Sequence, residues 1–170
     1  MSFVTLNEVL ADAQKRHYAV GAFNTNNMEI VQAIVEAAEE ERAPVILQAS
    51  QGALKYAGIR YITAMIQAAA QNATVPVVLH LDHGTSFAQA MQCLRHGFSS
   101  VMFDGSKYPL AENIALTRQV VEVAHAMGVS VEGELGRIGG TEDDISVEEK
   151  DAFFTDPEEA ADFVAATEVD

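Results

Sequence analysis

The sequence predicts an α/β protein built around a parallel sheet, on two observations. Short apolar runs, most of them rich in Val or Ile and too short for helices, alternate with stretches whose apolar residues recur at helical spacing. Polar residues able to do chemistry gather just past the C-terminal ends of those runs, the face on which parallel α/β enzymes place their working groups.

The elements follow in order. Thr5 and Glu8 make a capping box that starts a helix over about 5–16, placed ahead of the first strand like a lid on the sheet's lower end. The first strand falls at 19–23 and is followed by a helical stripe of Ile30, Val31, Ile34, Val35 and Ala38. The second falls at 45–48 and the third at 75–81. Phe87, Ala90, Met91 and Leu94 then form a stripe before the fourth strand at 100–103. Leu110, Ile114, Thr117, Val121 and Ala124 form another before the fifth at 129–132. The stretch 136–156 has no periodicity and carries Gly139, Gly140, Glu142, Asp143 and Asp144. It reads either as a functional mobile loop or as a solvated acidic turn with a short helix capped by Ser146. Asp156, Pro157 and Glu158 supply an N-cap, a first-turn proline and an acidic first turn for a last helix. A sixth strand would be starting at 167–170.

Strand centres near 21, 46, 78, 102 and 131 fit repeated β/α units. Such units make an open doubly wound sheet or part of a closed (β/α)₈ barrel. No Gly-rich dinucleotide fingerprint follows any strand, which weighs against the first. A full barrel needs roughly 250 residues. The expectation is therefore one incomplete barrel domain over 1–170, with strands one to five present and six to eight absent.

Composition narrows the function. Of 170 residues, 49% are apolar, enough for a real core. A net charge of −15 repels nucleic acid and anionic membrane surfaces. Phosphorylated small molecules stay possible, because helix N-termini bind phosphate without net positive charge. The single cysteine, Cys93, forms no internal disulfide and fits a reducing compartment. The N-terminal segment interrupts its apolar pattern with Asn7, Glu8, Asp12 and Lys15, unlike a signal sequence or membrane span. These features predict a cytoplasmic protein.

The candidate chemistry lies at the strand ends: Asn24, Asn26 and Asn27, then Ser50, then Asp82 and His83, then Asp104 and Lys107, then Glu132, Glu134 and Glu142. In 80–84, alternation sends His80 and His83 to opposite faces of a strand, so they form no two-histidine site. Either one histidine binds metal while Asp82 works beside it, or His80 is a buried hydrogen-bonded residue and 82–84 is only a turn. Glu132 and Glu134 share one face of the fifth strand and need a cation, a proton or a basic partner between them. His17, His96 and His125 read as surface or packing residues.

The segments Gly21-Ala22-Phe23-Asn24, Asn26-Asn27-Met28-Glu29, His80-Leu81-Asp82-His83-Gly84, Val131-Glu132-Gly133-Glu134-Leu135-Gly136 and Gly139-Gly140-Thr141-Glu142-Asp143-Asp144 closely resemble those of the class II ketose-bisphosphate aldolases. The resemblance implies a (β/α)₈ barrel and reversible cleavage of fructose 1,6-bisphosphate. It implies a catalytic Zn²⁺ acting as Lewis acid on the C2 ketone of a phosphorylated ketose. By motif position His83 is a zinc ligand, and Asp82 is the acid/base at the C4 hydroxyl. Glu142 resembles the family's residue that exchanges a proton at C3 of dihydroxyacetone phosphate. Asp104 and Glu134 match positions that take a second divalent metal in some members, while Asn24 and Ser50 match substrate contacts. Asn26 and Gly84 match the fructose rather than the tagatose branch, which tends to carry histidine at both. The family's other two zinc histidines belong after strands six and seven, so the 170 residues alone are expected to be inactive. The full-length enzyme is expected to be a homo-oligomer, dimer or tetramer.

Overall fold

The structure, a computed structural model, describes residues 2–142, 145–148 and 152–170. Five strands, β1 (Gly21–Asn24), β2 (Val45–Ser50), β3 (Val77–Gly84), β4 (Ser100–Phe103) and β5 (Ser130–Gly133), form one sheet in the order β1-β2-β3-β4-β5. Every neighbouring pair is parallel. Sequential order without reversal is the arrangement of a barrel wall and excludes the doubly wound alternative.

Helices start where the side chains allow. In α1 (Leu6–Arg16) the Thr5 side chain and Glu8 close a complete capping box. Asn27 caps α2 (Met28–Glu41), Ser86 caps α5 (Phe87–Arg95), and Asp156 caps α7 (Pro157–Thr167) with proline at the first turn. Between β2 and β3 lie two helices beyond those expected, α3 (Gln51–Ala57) and α4 (Ile59–Asn72). The second buries Ile62, Thr63, Ile66 and Ala70 against the sheet. The long α6 (Leu110–Ala126) buries Asn113, Thr117, Val120, Val121 and Ala124.

Alternation along the strands divides the apolar residues into two sets. Leu47, Ala49, Val77, Leu79, Leu81, Val101, Phe103 and Val131 point outward and pack with the helices as the main core. Ile46 and Val78 point inward and meet Leu6 and Val9 of α1, with Val4 and Val20 at the margin. The first helix therefore plugs the barrel floor, as expected. Each such aliphatic side chain contributes about 1.5–3 kcal/mol by leaving water. With the lower interior plugged by hydrocarbon, polar inward residues can work only at the other end.

The two outer strands differ. All four residues of β1 are exposed, and Phe23 is half exposed beside Ala33, Ile34 and Ala37 of α2. The edge of β5 is partly occupied. Asp170 donates its amide to the Val131 carbonyl at 2.9 Å and accepts from the Val131 amide through Oδ2 at 2.8 Å. The same carboxylate accepts from Asn7 Nδ2 at 2.8 Å and pairs with His125 Nε2 at 2.8 Å. Asp170 thus ties α1 and α6 to β5 at the place expected for a sixth strand.

Residues 136–156 correct one expectation. Gly140–Glu142 (β6) and Ile145–Val147 (β7) form an antiparallel ribbon, so Ser146 lies in a strand rather than at a helix start. The ribbon's base is held by a reciprocal backbone pair between Arg137 and Phe153, at 2.7 and 3.0 Å. Asp143 and Asp144 lie outside the described residues.

Candidate metal centre

At the C-terminal end of the sheet, side chains from three strand ends converge. His83 belongs to β3, Asp104 directly follows β4 and Glu134 directly follows β5. His83 Nδ1 lies 3.1 Å from Asp104 Oδ2 and 3.9 Å from Glu134 Oε2. One ligand atom from each falls within 4.8 Å of the others.

Backbone geometry makes this possible. Strict alternation would send the His83 ring out toward the helices with Leu81. Instead the β3–β4 register shifts between Leu81 and Gly84, and His83 takes a left-handed conformation with φ of 47°. The irregular end re-aims the ring toward the site, so the alternation argument fails at this residue. His80 and His83 still form no joint pair, because each meets its own carboxylate. Gln51 Nε2 donates to the His83 carbonyl at 2.7 Å and holds the turned backbone.

The two carboxylates are also supported. Asp104 is buried; its amide donates to the Gly84 carbonyl at 2.9 Å, and its Oδ1 accepts from the Ser106 amide at 3.1 Å. Buried Asn113 of α6 donates Nδ2 to the Glu134 carbonyl at 2.8 Å and accepts from Thr117 through Oδ1 at 3.0 Å. Both carboxylates meet the imidazole of His83.

The Asp104 hydrogen bond raises the His83 pKa from 6.5 to about 9; burial opposes the rise, and the charges of Asp82 and Glu134 add to it. Burial pushes Asp104 upward, but the His83 and Ser106 hydrogen bonds outweigh it and bring the carboxyl below its ordinary 3.8. Without metal the site therefore holds an imidazolium against carboxylates.

The sign of the linkage follows. His83, raised, contributes stability that is complete below 6.5 and disappears as pH rises through about 9. Asp104, lowered, contributes stability present above 3.8 and lost as pH falls through its lower folded value. Urea midpoints of the chain in chelator are expected to fall between pH 6.5 and 9. His83→Gln should flatten that slope. A midpoint that climbs over the same interval would contradict the pairing.

A second group lies on the inward face of β1–β3. Gln48 Nε2 donates to Asn24 Oδ1 at 2.8 Å and to Asp82 Oδ2 at 3.0 Å. Gln48 thus links two candidates and escaped notice itself, although a lone amide closing the apolar run 45–48 was a readable signal. Ser50 is buried at the end of β2 and accepts from the Ala53 amide at 3.3 Å as the cap of α3. It is not part of the metal group. Glu142 closes β6 by its backbone, and its side chain lies outside the described residues.

The metal group lines a cleft of about 340 Å³ with Ser106, Arg137 and the glycine-rich segment 136–140. That volume suits a small ligand. Arg137 is fixed there by its Nε bond to the Ser106 carbonyl at 3.1 Å. One imidazole and two carboxylates form a donor set that Zn²⁺ accepts, and the carboxylates also suit harder divalent cations. Cys93 is no part of this chemistry: it is buried, and burial pushes its thiol up to about 12.

Gly84 has a packing reason of its own. A Cβ there would sit 2.6 Å from both the Met102 carbonyl oxygen and Leu81 Cδ2. Its glycine therefore says little about substrate choice. No described helix is long and apolar enough to cross a membrane.

The chain is similar to known proteins over nearly its whole length. The family described as "Fructose-bisphosphate aldolase class-II" matches residues 4–170. A fructose-bisphosphate aldolase of Thermus caldophilus is 54% identical over 98% of the chain and 54% of its own length. A probable fructose-bisphosphate aldolase of Bacillus subtilis is 47% identical over 100% of the chain and 60% of its own length. Among solved structures, the YdjI aldolase of Escherichia coli K12 superposes with a TM-score of 0.85 at 34% identity, covering 99% of the chain and 59% of that protein. The chain thus spans a little over half the length of these relatives.

Proposed function

Because the chain belongs to the class II fructose-bisphosphate aldolase family, we propose that it carries part of the active site of a zinc-dependent lyase. The reaction is reversible cleavage of fructose 1,6-bisphosphate to dihydroxyacetone phosphate and glyceraldehyde 3-phosphate. The convergence of His83, Asp104 and Glu134 next to Asp82 supports this reading best.

In this reading His83 is a ligand of the catalytic zinc, and Asp104 with Glu134 takes a second divalent ion. Bound zinc supplies Lewis-acid polarisation of the substrate ketone. Asp82, oriented by Gln48, takes the proton from the C4 hydroxyl as the C3–C4 bond breaks, leaving the aldehyde of the departing triose. Glu142, in the ribbon, delivers a proton to C3 of the remaining triose phosphate. Asn24, held by the same Gln48, and Ser50 contact substrate.

The test joins this chain to the remaining strands of the Thermus caldophilus relative and assays triose phosphate release. Fructose 1,6-bisphosphate should be cleaved, with activity lost in chelator and restored by Zn²⁺. The 170-residue chain alone should release none. Cleavage indifferent to chelation would overturn the proposal, and preferential turnover of tagatose 1,6-bisphosphate would reassign the substrate.

A further inference from the structure

Beneath the metal group lies a second polar layer that the proposed chemistry does not use. His80 of β3 is buried in the barrel interior at 3% exposure. Its Nδ1 lies 2.8 Å from Ser100 Oγ of β4, and its Nε2 lies 3.3 Å from Glu132 Oε2 of β5. A carboxylate only accepts, so Nε2 carries a hydrogen and donates it to Glu132, while Nδ1 pairs with the serine hydroxyl. Both ring nitrogens thus have a partner, as a ring removed from water requires.

The link has an unusual span. β3 and β5 are not neighbours; both pair with β4, which lies between them. Backbone bonds set the distance between adjacent strands, whereas the separation of next-nearest strands depends on local twist and curvature. Curvature is least determined here, because the β3–β4 register shifts just beyond His80, between Leu81 and Gly84. One step further along the same strands come His83 and Glu134, with ligand atoms 3.9 Å apart.

We propose that His80 is a positioning residue. Its ring is a strut from β3 across β4 to Glu132 that sets the spacing of the β3 and β5 ends, and so the separation of His83 from Glu134. The metal consequence rests on the reading of the site given above; the spacing itself does not.

The experiment titrates Co²⁺ into the full chain and compares wild type with His80→Phe, Glu132→Leu and Glu132→Gln, with thermal midpoints recorded alongside. Partners that orient metal ligands typically govern about 10–100-fold in affinity. His80→Phe and Glu132→Leu are expected to weaken Co²⁺ binding at least tenfold and to alter its visible spectrum at saturation. Glu132→Gln removes the same charge but keeps an acceptor for Nε2, and should stay near wild type. Equal weakening by Glu132→Leu and Glu132→Gln overturns the strut, since lost charge then explains everything. If His80→Phe does not fold, the Glu132 pair still decides, because that side chain is 46% exposed and its loss leaves the core intact. Amide hydrogen exchange without metal separates the two ideas. Faster exchange at residues 132–134 in Glu132→Leu but not in Glu132→Gln supports the strut even if the wild type binds no Co²⁺, an outcome that would defeat the metal reading alone.

Discussion

Replacing His83 by alanine is expected to abolish zinc binding and aldolase turnover together, in the complete enzyme built on this sequence. The imidazole is the only nitrogen donor in the group of His83, Asp104 and Glu134. Without it, two carboxylates face each other with neither proton nor ring between them, and their repulsion opens the site. The loss should exceed the roughly 10–100-fold typical of an outer partner, because a direct ligand is gone. Metal content by mass spectrometry and a coupled cleavage assay read the two effects separately. A folded His83→Ala protein that keeps stoichiometric zinc would remove His83 from the ligand set.

Asp82→Ala is expected to separate the same two properties. Asp82 lies beside His83 in sequence, but its carboxylate is turned to Gln48 Nε2 at 3.0 Å, on the side that also holds Asn24. The ligand atoms of the metal group do not include it. Zinc should therefore stay while turnover falls about 10²–10⁴-fold, the usual worth of a positioned acid/base group. Release of metal by Asp82→Ala would show that the roles of the two neighbours have been divided wrongly.

Much of the fold was legible in the chain because the β/α repeat writes itself in two periodicities. The strand centres stand in the observed strands, and the stripe Phe87, Ala90, Met91, Leu94 lies along α5. Strand ends were less legible. β2 and β3 run on to Ser50 and Gly84, past the apolar runs, because Ser50, Asp82 and His83 break the apolar pattern without ending the strands. The ribbon in 136–156 was invisible, since β6 carries no apolar alternation to mark it. Candidate site residues stand out where polarity at a strand end is conspicuous, as with Asp82, Asp104 and Glu134. Supporting residues do not. Asn113 sits inside a helical stripe, and only the fold reveals that it reaches the Glu134 carbonyl.

The left-handed backbone of His83 carries a consequence for how this position can change. An L-residue held there gives up about 1–2 kcal/mol relative to ordinary conformations, and Asn, Asp and Gly tolerate it best. Other replacements thus meet two separate penalties, one for the missing ring and one for the main chain. Valine, isoleucine and threonine suffer most, their branched Cβ being ill suited to positive φ. His83→Gly would relax the backbone while emptying the site. Relief of the main chain at this position therefore comes only with loss of the ring that Asp104 and Glu134 both meet.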